Sequence, residues 1–484
     1  MPFGVRLSDL AAERPDGVAV VFVDATGDER DLTYAELDSL ADRMARRLAD
    51  RGVVPGDRVV AALPKSVEQL ALGFAVWKCG ATLVPLRHDM PLPERAPLVE
   101  LAGASAVITE RDLAGLADAD ADADVGDAAG FSGPSAVPAS PLLVASGGST
   151  GRPKLIRTPL PATITPGQPF NPVGAIIGMR AGQTVFTGSP PYHFMGFGNY
   201  LSVLEGGTSV VLERFDPGVL LDAIERHRVN LLVLVPTMMI RLLRDPTIAS
   251  RDLSSIEAVV HSAAPCPPWV KRAWIDLVGP ERVFEIYSST EQVGFCVVSG
   301  KEWLERPGTV GRGVMTEIRV LDPEGGDLPA GEVGEIHMRL AGLPVPVYEY
   351  VGADRGPVTD DGFASVGDLG WLDEDGYLFI ADRRTDLIIS GGVNVYPAEV
   401  EAALTEHPAV ADAAVVGIPD DEWGRRVHAV VEVLPGASVT PEELDAHCRA
   451  RLSATKVPRS YDVTTDLGRN EAGKLRRSGL SPSG

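Results

Sequence analysis

Residues 142–154 read LLVASGGSTGRPK, the stretch of this chain whose residue types point most directly to chemistry. Leu142, Leu143 and Val144 are a short apolar run of the kind that forms a buried strand. Ser146, Gly147, Gly148, Ser149, Thr150 and Gly151 follow. Glycines let backbone N–H groups turn inward and hydroxyls add donors, so such a loop can wrap a polyphosphate. Lys154 supplies a point charge at its end. The spacing is not that of a Walker A loop, which needs Ser or Thr directly after its lysine, whereas Leu155 stands here. Taken alone, the loop reads equally well as a phosphate cradle or as a plain Gly/Ser turn.

The elements around it are those of an α/β protein. In 31–50, Thr33 with Glu36 is a capping box, and Leu37, Leu40, Ala41 and Met44 follow at helical spacing. Arg58–Leu63 reads as a strand, Val67–Lys78 as a helix, and 81–85 and 106–109 as further strands. After the glycine loop, apolar runs at 183–186, 209–212, 231–235 and 258–261 continue the series. Strands alternating with helices imply a largely parallel sheet covered on both faces. Segments 235–239 and 261–265 end strands, where open α/β sheets place ligands. From Gly308 to Leu340 the pattern changes to short strands and Gly/Pro turns, as in a small β-barrel. Helices at 397–405 and 441–452, with strands at 413–416 and 428–433, suggest a last α+β unit of independent size. Residues 117–141, rich in Ala and Asp, read as a solvated linker.

Composition narrows the function. A net charge of −23 argues against nucleic acid or an anionic membrane as partner, since both need clustered Lys and Arg. Cys79, Cys266, Cys296 and Cys448 form no C-x-x-C pair, which fits a reducing compartment better than a disulfide framework or a zinc site. The start has no signal-like apolar core, and no run is long enough to cross a bilayer. A cytoplasmic protein with no membrane span is therefore expected.

Five separated stretches then match one family in order: SGGSTGRPK (146–154), YSSTE (287–291), GDLG (367–370), DRRTDLIISGGVNVYPAEVE (382–401) and NEAGKLRR (470–477). The chain resembles the acyl- and aryl-adenylating enzymes, a superfamily that includes acyl-CoA synthetases, adenylation domains and firefly-type luciferases. The resemblance covers nearly the whole chain. It implies a large N-terminal domain, 1–383, of two layered α/β sheets plus the small barrel, and a small α+β domain, 386–484, on a hinge. It also implies that a carboxylate attacks the α-phosphate of ATP to give acyl-AMP and pyrophosphate, and that a thiol, usually of coenzyme A, then displaces AMP.

By the same resemblance the 146–154 loop would hold the β- and γ-phosphates through its N–H groups, Ser149 and Thr150. Tyr287 would stack on the adenine, with Ala263, Ala264 and Pro265 on its other face. Asp368 would accept from the ribose hydroxyls, and Arg383 would reach the ribose from the domain junction. Glu291 would hold Mg²⁺, which prefers carboxylate and phosphate oxygen. Thr290 would donate to the α-phosphate. Lys474 would neutralise charge developing there. Core packing for Tyr287, a turn for Asp368 and a surface charge for Glu291 remain the structural alternatives. Lysine usage favours the functional reading: only Lys65, Lys78, Lys154, Lys271, Lys301, Lys456 and Lys474 occur, and two of them fall on family lysine positions. Two positions depart from the family's pattern. Ser288 replaces the usual glycine, and Thr385 stands at the hinge where the family has Asp or Lys.

The block 190–196, PPYHFMG, lacks the carboxylate that amino-acid-activating relatives use, so an apolar carboxylic acid is expected. His193 takes the place of the family's gate beside the substrate carboxylate, with a structural histidine as the alternative. Phe194, Met195, Phe197, Tyr200, Val235, Thr237 and Met238 are candidate pocket residues, and methionines suit an adaptable pocket. The spelling SGGSTGRPKLI looks most like the bile-acid and fatty-acyl ligases, a pointer to a bulky or extended acid. Trp423, with Arg425 and Arg426, resembles a CoA-adenine platform. Gly391 and Gly392 would line the pantetheine tunnel. Because Lys474 and these glycines cannot both face the substrate at once, the small domain is expected to rotate about Thr385. An acyl carrier protein as thiol partner is the main alternative to CoA, and a non-catalytic adenylate-binding protein is the alternative of another class. The sequence leaves the oligomeric state open, with a homodimer among the options.

Overall fold

The computed structural model describes residues 1–117, 131, 136–146, 153–158, 160–168, 170, 172–342, 348–354, 356–383, 386–390, 393–420, 423–469, 475, 477 and 480. The capping box at Thr33 is present: its hydroxyl accepts the Glu36 N–H at 3.2 Å, and the Glu36 carboxylate accepts the Thr33 N–H at 2.8 Å. This starts the helix Tyr34–Asp50, whose Leu37, Leu40, Ala41 and Met44 turn inward. They meet Val67–Lys78, a helix buried almost all round. Beside these helices Arg58–Ala62 pairs in parallel with Thr82–Pro85 and Ala106–Thr109 in a three-stranded sheet.

A second sheet runs through 13 strands. Its parallel part is Val283–Ser288, Ala258–His261, Leu231–Leu234, Thr184–Thr187, Thr208–Leu212 and Val18–Val23, in that order. Leu231–Leu234 is apolar and buried along its length, as strands covered on both faces are. Phe295–Ser299 reverses direction against Val283–Ser288, and Thr309–Gly313 pairs with its far side.

From Thr309–Gly313 the row continues antiparallel through Leu378–Arg383, Ala364–Leu372, Gly334–Leu340 and Thr316–Leu321. The first and last of these strands are neighbours in the chain, joined by residues 314–315, so the row must curl until its ends meet. The Phe295 N–H donates to the Thr316 hydroxyl at 2.9 Å, which brings the start of Thr316–Leu321 back against Phe295–Ser299. This is the small barrel expected from the sequence, but it shares a wall with the main sheet rather than standing apart.

Leu143–Ser146 and Lys154–Arg157 form an antiparallel hairpin, to which Glu349–Val351 adds a third strand. From Ile388 onward a hairpin, a sheet of Val410–Asp420, Gly424–Val433 and Ser460–Thr464, and helices Pro397–Thr405 and Pro441–Arg449 complete the chain. Ile388, Val395, Val400, Leu404, Val415 and Val431 give this smaller α+β unit its own core. The Arg244 guanidinium donates to the carbonyls of Val410 and Ala411, and the Ala398 N–H donates to Asp382 at 3.1 Å, so both contacts tie it to the larger part. Thr385, the expected hinge position, and most of the Ala/Asp tract lie outside the described residues. All four cysteines are free thiols. No described helix is long and apolar enough to cross a membrane.

Candidate functional site

Tyr287 lies near the end of Val283–Ser288, and its hydroxyl donates to the Asp368 carboxylate at 2.7 Å. Asp368 is 8% exposed and sits in the antiparallel strand Ala364–Leu372. Residue 383, whose main chain alone is described, faces it in register across the pair. Three residues read from separate motifs are thus brought to one place. The loop after Ala258–His261 adds the fourth element. There Ala263 takes φ of +75°, a left-handed conformation that costs an L-residue about 1–2 kcal/mol. Ala263 and Pro265 are exposed at that strand end and Ala264 is partly exposed.

Thr290 and Glu291 occupy the tip of the turn between Val283–Ser288 and Phe295–Ser299. The turn closes through Gln292, at φ of +52°, whose N–H donates to the Ser289 carbonyl at 3.0 Å. The Gln292 side chain donates to the Thr158 hydroxyl at 2.9 Å, just beyond the Lys154 strand. Glu291, 9% exposed, accepts from the Tyr350 hydroxyl at 2.7 Å. No further hydrogen bond to its carboxylate occurs among the described residues. Ser288 turns its hydroxyl back to the Gly294 carbonyl at 2.7 Å, so it braces this turn.

Lys154 is the first residue of a strand, paired with Ser146. The glycine loop is therefore the connection of a β-hairpin and does not lead into a helix. A phosphate there would be held by N–H groups, hydroxyls and the lysine, without a helix dipole behind it. The Lys154 ammonium lies 3.7 Å from the centre of the Tyr350 ring. Gly147, Gly148, Ser149, Thr150, Gly151, Gly391, Gly392 and Lys474 lie outside the described residues, and only the main chain of Ser146 is described.

His193 precedes the short 3₁₀ turn Phe194–Phe197, with its ring 4.9 Å from that of Tyr192. Gly196 makes this turn possible, since a Cβ there would fall 2.2 Å from the Pro190 carbonyl oxygen. Two of the expected pocket residues are elsewhere. Phe197 and Tyr200 pack into the aromatic core with Phe3, Phe74 and Trp77, and Gln69 donates to the Tyr200 hydroxyl at 2.9 Å. Their apolar type was readable; their direction depended on the helix Phe3–Glu13. Met238 is buried against Gly188, where a Cβ would meet its sulfur at 2.4 Å.

In the smaller unit Trp423 carries the Arg459 guanidinium 3.8 Å above its ring. Arg425 donates to the Gly417 carbonyl at 2.8 Å, and Arg426 lies 3.9 Å from Asp420. Arg477 binds Glu401 and Asp386, anchoring the segment that follows Lys474. Tyr350, Gln292 and Arg459 were not read as site residues. The alternating aromatics of Tyr348-Glu349-Tyr350 are a strand signal, but nothing in sequence pairs that strand with Lys154.

Tyr287 bonded to Asp368 beside strand Leu378–Arg383, with Lys154 and Glu291 meeting at Tyr350, fits the arrangement of an adenylate-forming enzyme. The chain belongs to the AMP-binding enzyme family: that family's model matches residues 7–343, and the AMP-binding enzyme C-terminal domain matches 399–474. It is 34% identical over 463 residues to the feruloyl-CoA synthase of an Amycolatopsis species, covering 92% of each chain. The fatty acid–[acyl-carrier-protein] ligase of Streptomyces coeruleorubidus is 30% identical, over 93% of this chain and 91% of that one. Among solved structures, the o-succinylbenzoate-CoA synthetase of Bacillus subtilis with its acyl-adenylate intermediate superposes with a TM-score of 0.82. It is 27% identical and the match covers 100% of this chain and 98% of that one.

Proposed function

We propose that this enzyme is an AMP-forming acyl-CoA ligase that activates an apolar carboxylic acid with ATP. The acid's carboxylate oxygen bonds to the α-phosphorus as the bond to pyrophosphate breaks. The thiol of coenzyme A then attacks the acyl carbon, and AMP leaves. What supports this most is the bond of Tyr287 to Asp368 and the meeting of Glu291 and Lys154 at Tyr350, in a chain whose relatives include feruloyl-CoA synthase and an indoleacetate–CoA ligase of Aromatoleum aromaticum. In this reading Asp368 exchanges its bond from Tyr287 for the ribose hydroxyls, and the Tyr287 ring is freed to lie on the adenine. Thr290 donates to the α-phosphate, Lys474 offsets the charge developing there, and His193 closes the site beside the acyl carboxylate. Glu291 fits Mg²⁺, because it presents a carboxylate with one oxygen steadied by Tyr350. Bound there, the ion would neutralise phosphate charge.

The same reading sets the domains at 1–383 and 386–484, with rotation about Thr385 between the two steps, in a cytoplasmic protein. Thr385→Pro should leave pyrophosphate exchange near normal and slow thiol transfer; an unchanged overall thioester rate would move the pivot elsewhere. Carrier-protein loading is the second reading, favoured by the fatty acid–carrier ligase among the relatives. A pyrophosphate-release assay across aryl, alkyl and amino acids, with CoA or a holo-carrier protein as acceptor, decides between them. Release with aryl or fatty acids and thioester on CoA supports the proposal. Activity with amino acids alone would overturn it.

A further inference from the structure

We propose that Tyr350 is a positioning residue that stands between Lys154 and Glu291 and keeps both available for the triphosphate. The inference rests on the reading of this site as an ATP site. The strand register puts it there: Tyr350 pairs with Ile156, so Lys154, two residues along, lies diagonally on the same face. The ring lies under the Lys154 ammonium at 3.7 Å, while its hydroxyl donates to Glu291 at 2.7 Å. The fully buried Tyr348 packs against it, with ring centres 5.0 Å apart, and limits its freedom to swing away.

Neither Lys154 nor Glu291 has an ion pair among the described residues. A lysine and a glutamate reaching the same ring from two sides would pair directly if the ring were gone. That pair would have to break before the ammonium could meet a phosphate. A ring face attracts a cation more weakly than a phosphate does, so Tyr350 holds Lys154 without competing with the ligand. The turn bearing Glu291 has a separate tether in the Gln292–Thr158 bond, so it keeps its place when Tyr350 is altered.

The test is calorimetric binding of the analogue α,β-methylene-ATP, with and without Mg²⁺, to the full chain. Tyr350→Leu should weaken Mg²⁺-free binding about fivefold, the size of one ion pair formed in competition. The double variant Tyr350→Leu/Glu291→Gln should recover to within about twofold of Glu291→Gln alone, because the competing carboxylate is gone. Tyr350→Phe keeps the ring, so its Mg²⁺-free affinity should stay at the wild-type value while the gain on adding Mg²⁺ shrinks. Thermal melts of each variant report whether the fold is intact, and if Tyr350→Leu does not fold, the Tyr350→Phe pattern decides. Unchanged Mg²⁺-free binding in Tyr350→Leu, a double variant as weak as Tyr350→Leu, or an unaltered Mg²⁺ gain in Tyr350→Phe would overturn the inference. A wild-type protein that binds no ATP would instead overturn the site reading beneath it.

Discussion

Two groups in this fold each bring together a lysine, a glutamate and an aromatic ring, and they are assembled differently. Beneath the parallel sheet Lys271 meets Glu285 directly, 3% exposed, with its ammonium 5.1 Å from the centre of the Trp303 ring. His261, paired in register with Glu285, is fully buried, and no group among the described residues hydrogen-bonds either ring nitrogen. At the other group the ring of Tyr350 comes between Lys154 and Glu291, and the two charges do not pair. A pair that satisfies itself in a dry interior is scaffold, because nothing can reach it and neither charge tolerates the other's loss. A pair held apart by a ring keeps both charges available, and under the proposed function they would meet a phosphate and its metal.

That contrast can be broken by substitution, and the largest effect belongs to the buried pair. Lys271→Met strands the Glu285 charge and should cost about 3–5 kcal/mol of stability, read by urea denaturation. Adding Glu285→Leu should return most of it. A loss below about 1 kcal/mol for Lys271→Met would mean the pair is not the closed unit described. Lys154→Met should behave oppositely, with stability changed by no more than about 0.5 kcal/mol and the KM for ATP raised about tenfold. Steady-state kinetics at fixed acid, alongside a melt, gives both numbers, and loss of stability without a change in KM would reverse the assignment.

A smaller effect sharpens the dry end of the comparison. Burial, and then the nearby Lys271 charge, hold the His261 imidazole well below its ordinary value of 6.5. Below pH 6.5 the unfolded chain therefore binds a proton that the folded chain refuses. Stability falls as pH drops through that window, by at most about 1.4 kcal/mol per pH unit for this residue. His407 and His428 are also lowered by burial and add to the slope. Denaturant melts from pH 7.0 to 5.5 should show the decline, and His261→Leu should flatten it. An equal slope in the variant would show that His261 is protonated in the folded protein.

Much of this arrangement could be read from residues in order. The capping box at Thr33, the helix Val67–Lys78 and the strand Ala258–His261 follow from local patterns, and the structure places them where the patterns did. Tyr287 and Asp368 were linked only by family resemblance, and a hydrogen bond now joins them. Helix Phe3–Glu13 and strand Val18–Val23 went unread, although VAVVFV is an apolar run of strand length. The apolar type of Phe197 and Tyr200 suits a pocket as well as a core because hydrophobicity carries no direction, and it is that N-terminal helix that draws them into the core. Tyr350 was illegible for a different reason. Its neighbours Lys154 and Glu291 are brought to it by strand register and a hairpin turn, and neither leaves a spacing in the sequence.

As an AMP-forming ligase, this chain should join an apolar acid to AMP before any thiol takes part. A single turnover with excess enzyme, ATP, Mg²⁺ and an aryl acid such as ferulic acid, without thiol, tests it by mass spectrometry. Acyl-AMP and pyrophosphate should form in equal amounts, and the acyl-AMP should then convert to acyl-CoA and AMP when CoA is added. Lys474→Ala should slow the first phase by about 10²–10³ and leave the second largely intact. ADP and phosphate as products, or pyrophosphate release that ignores every apolar acid offered, would contradict it.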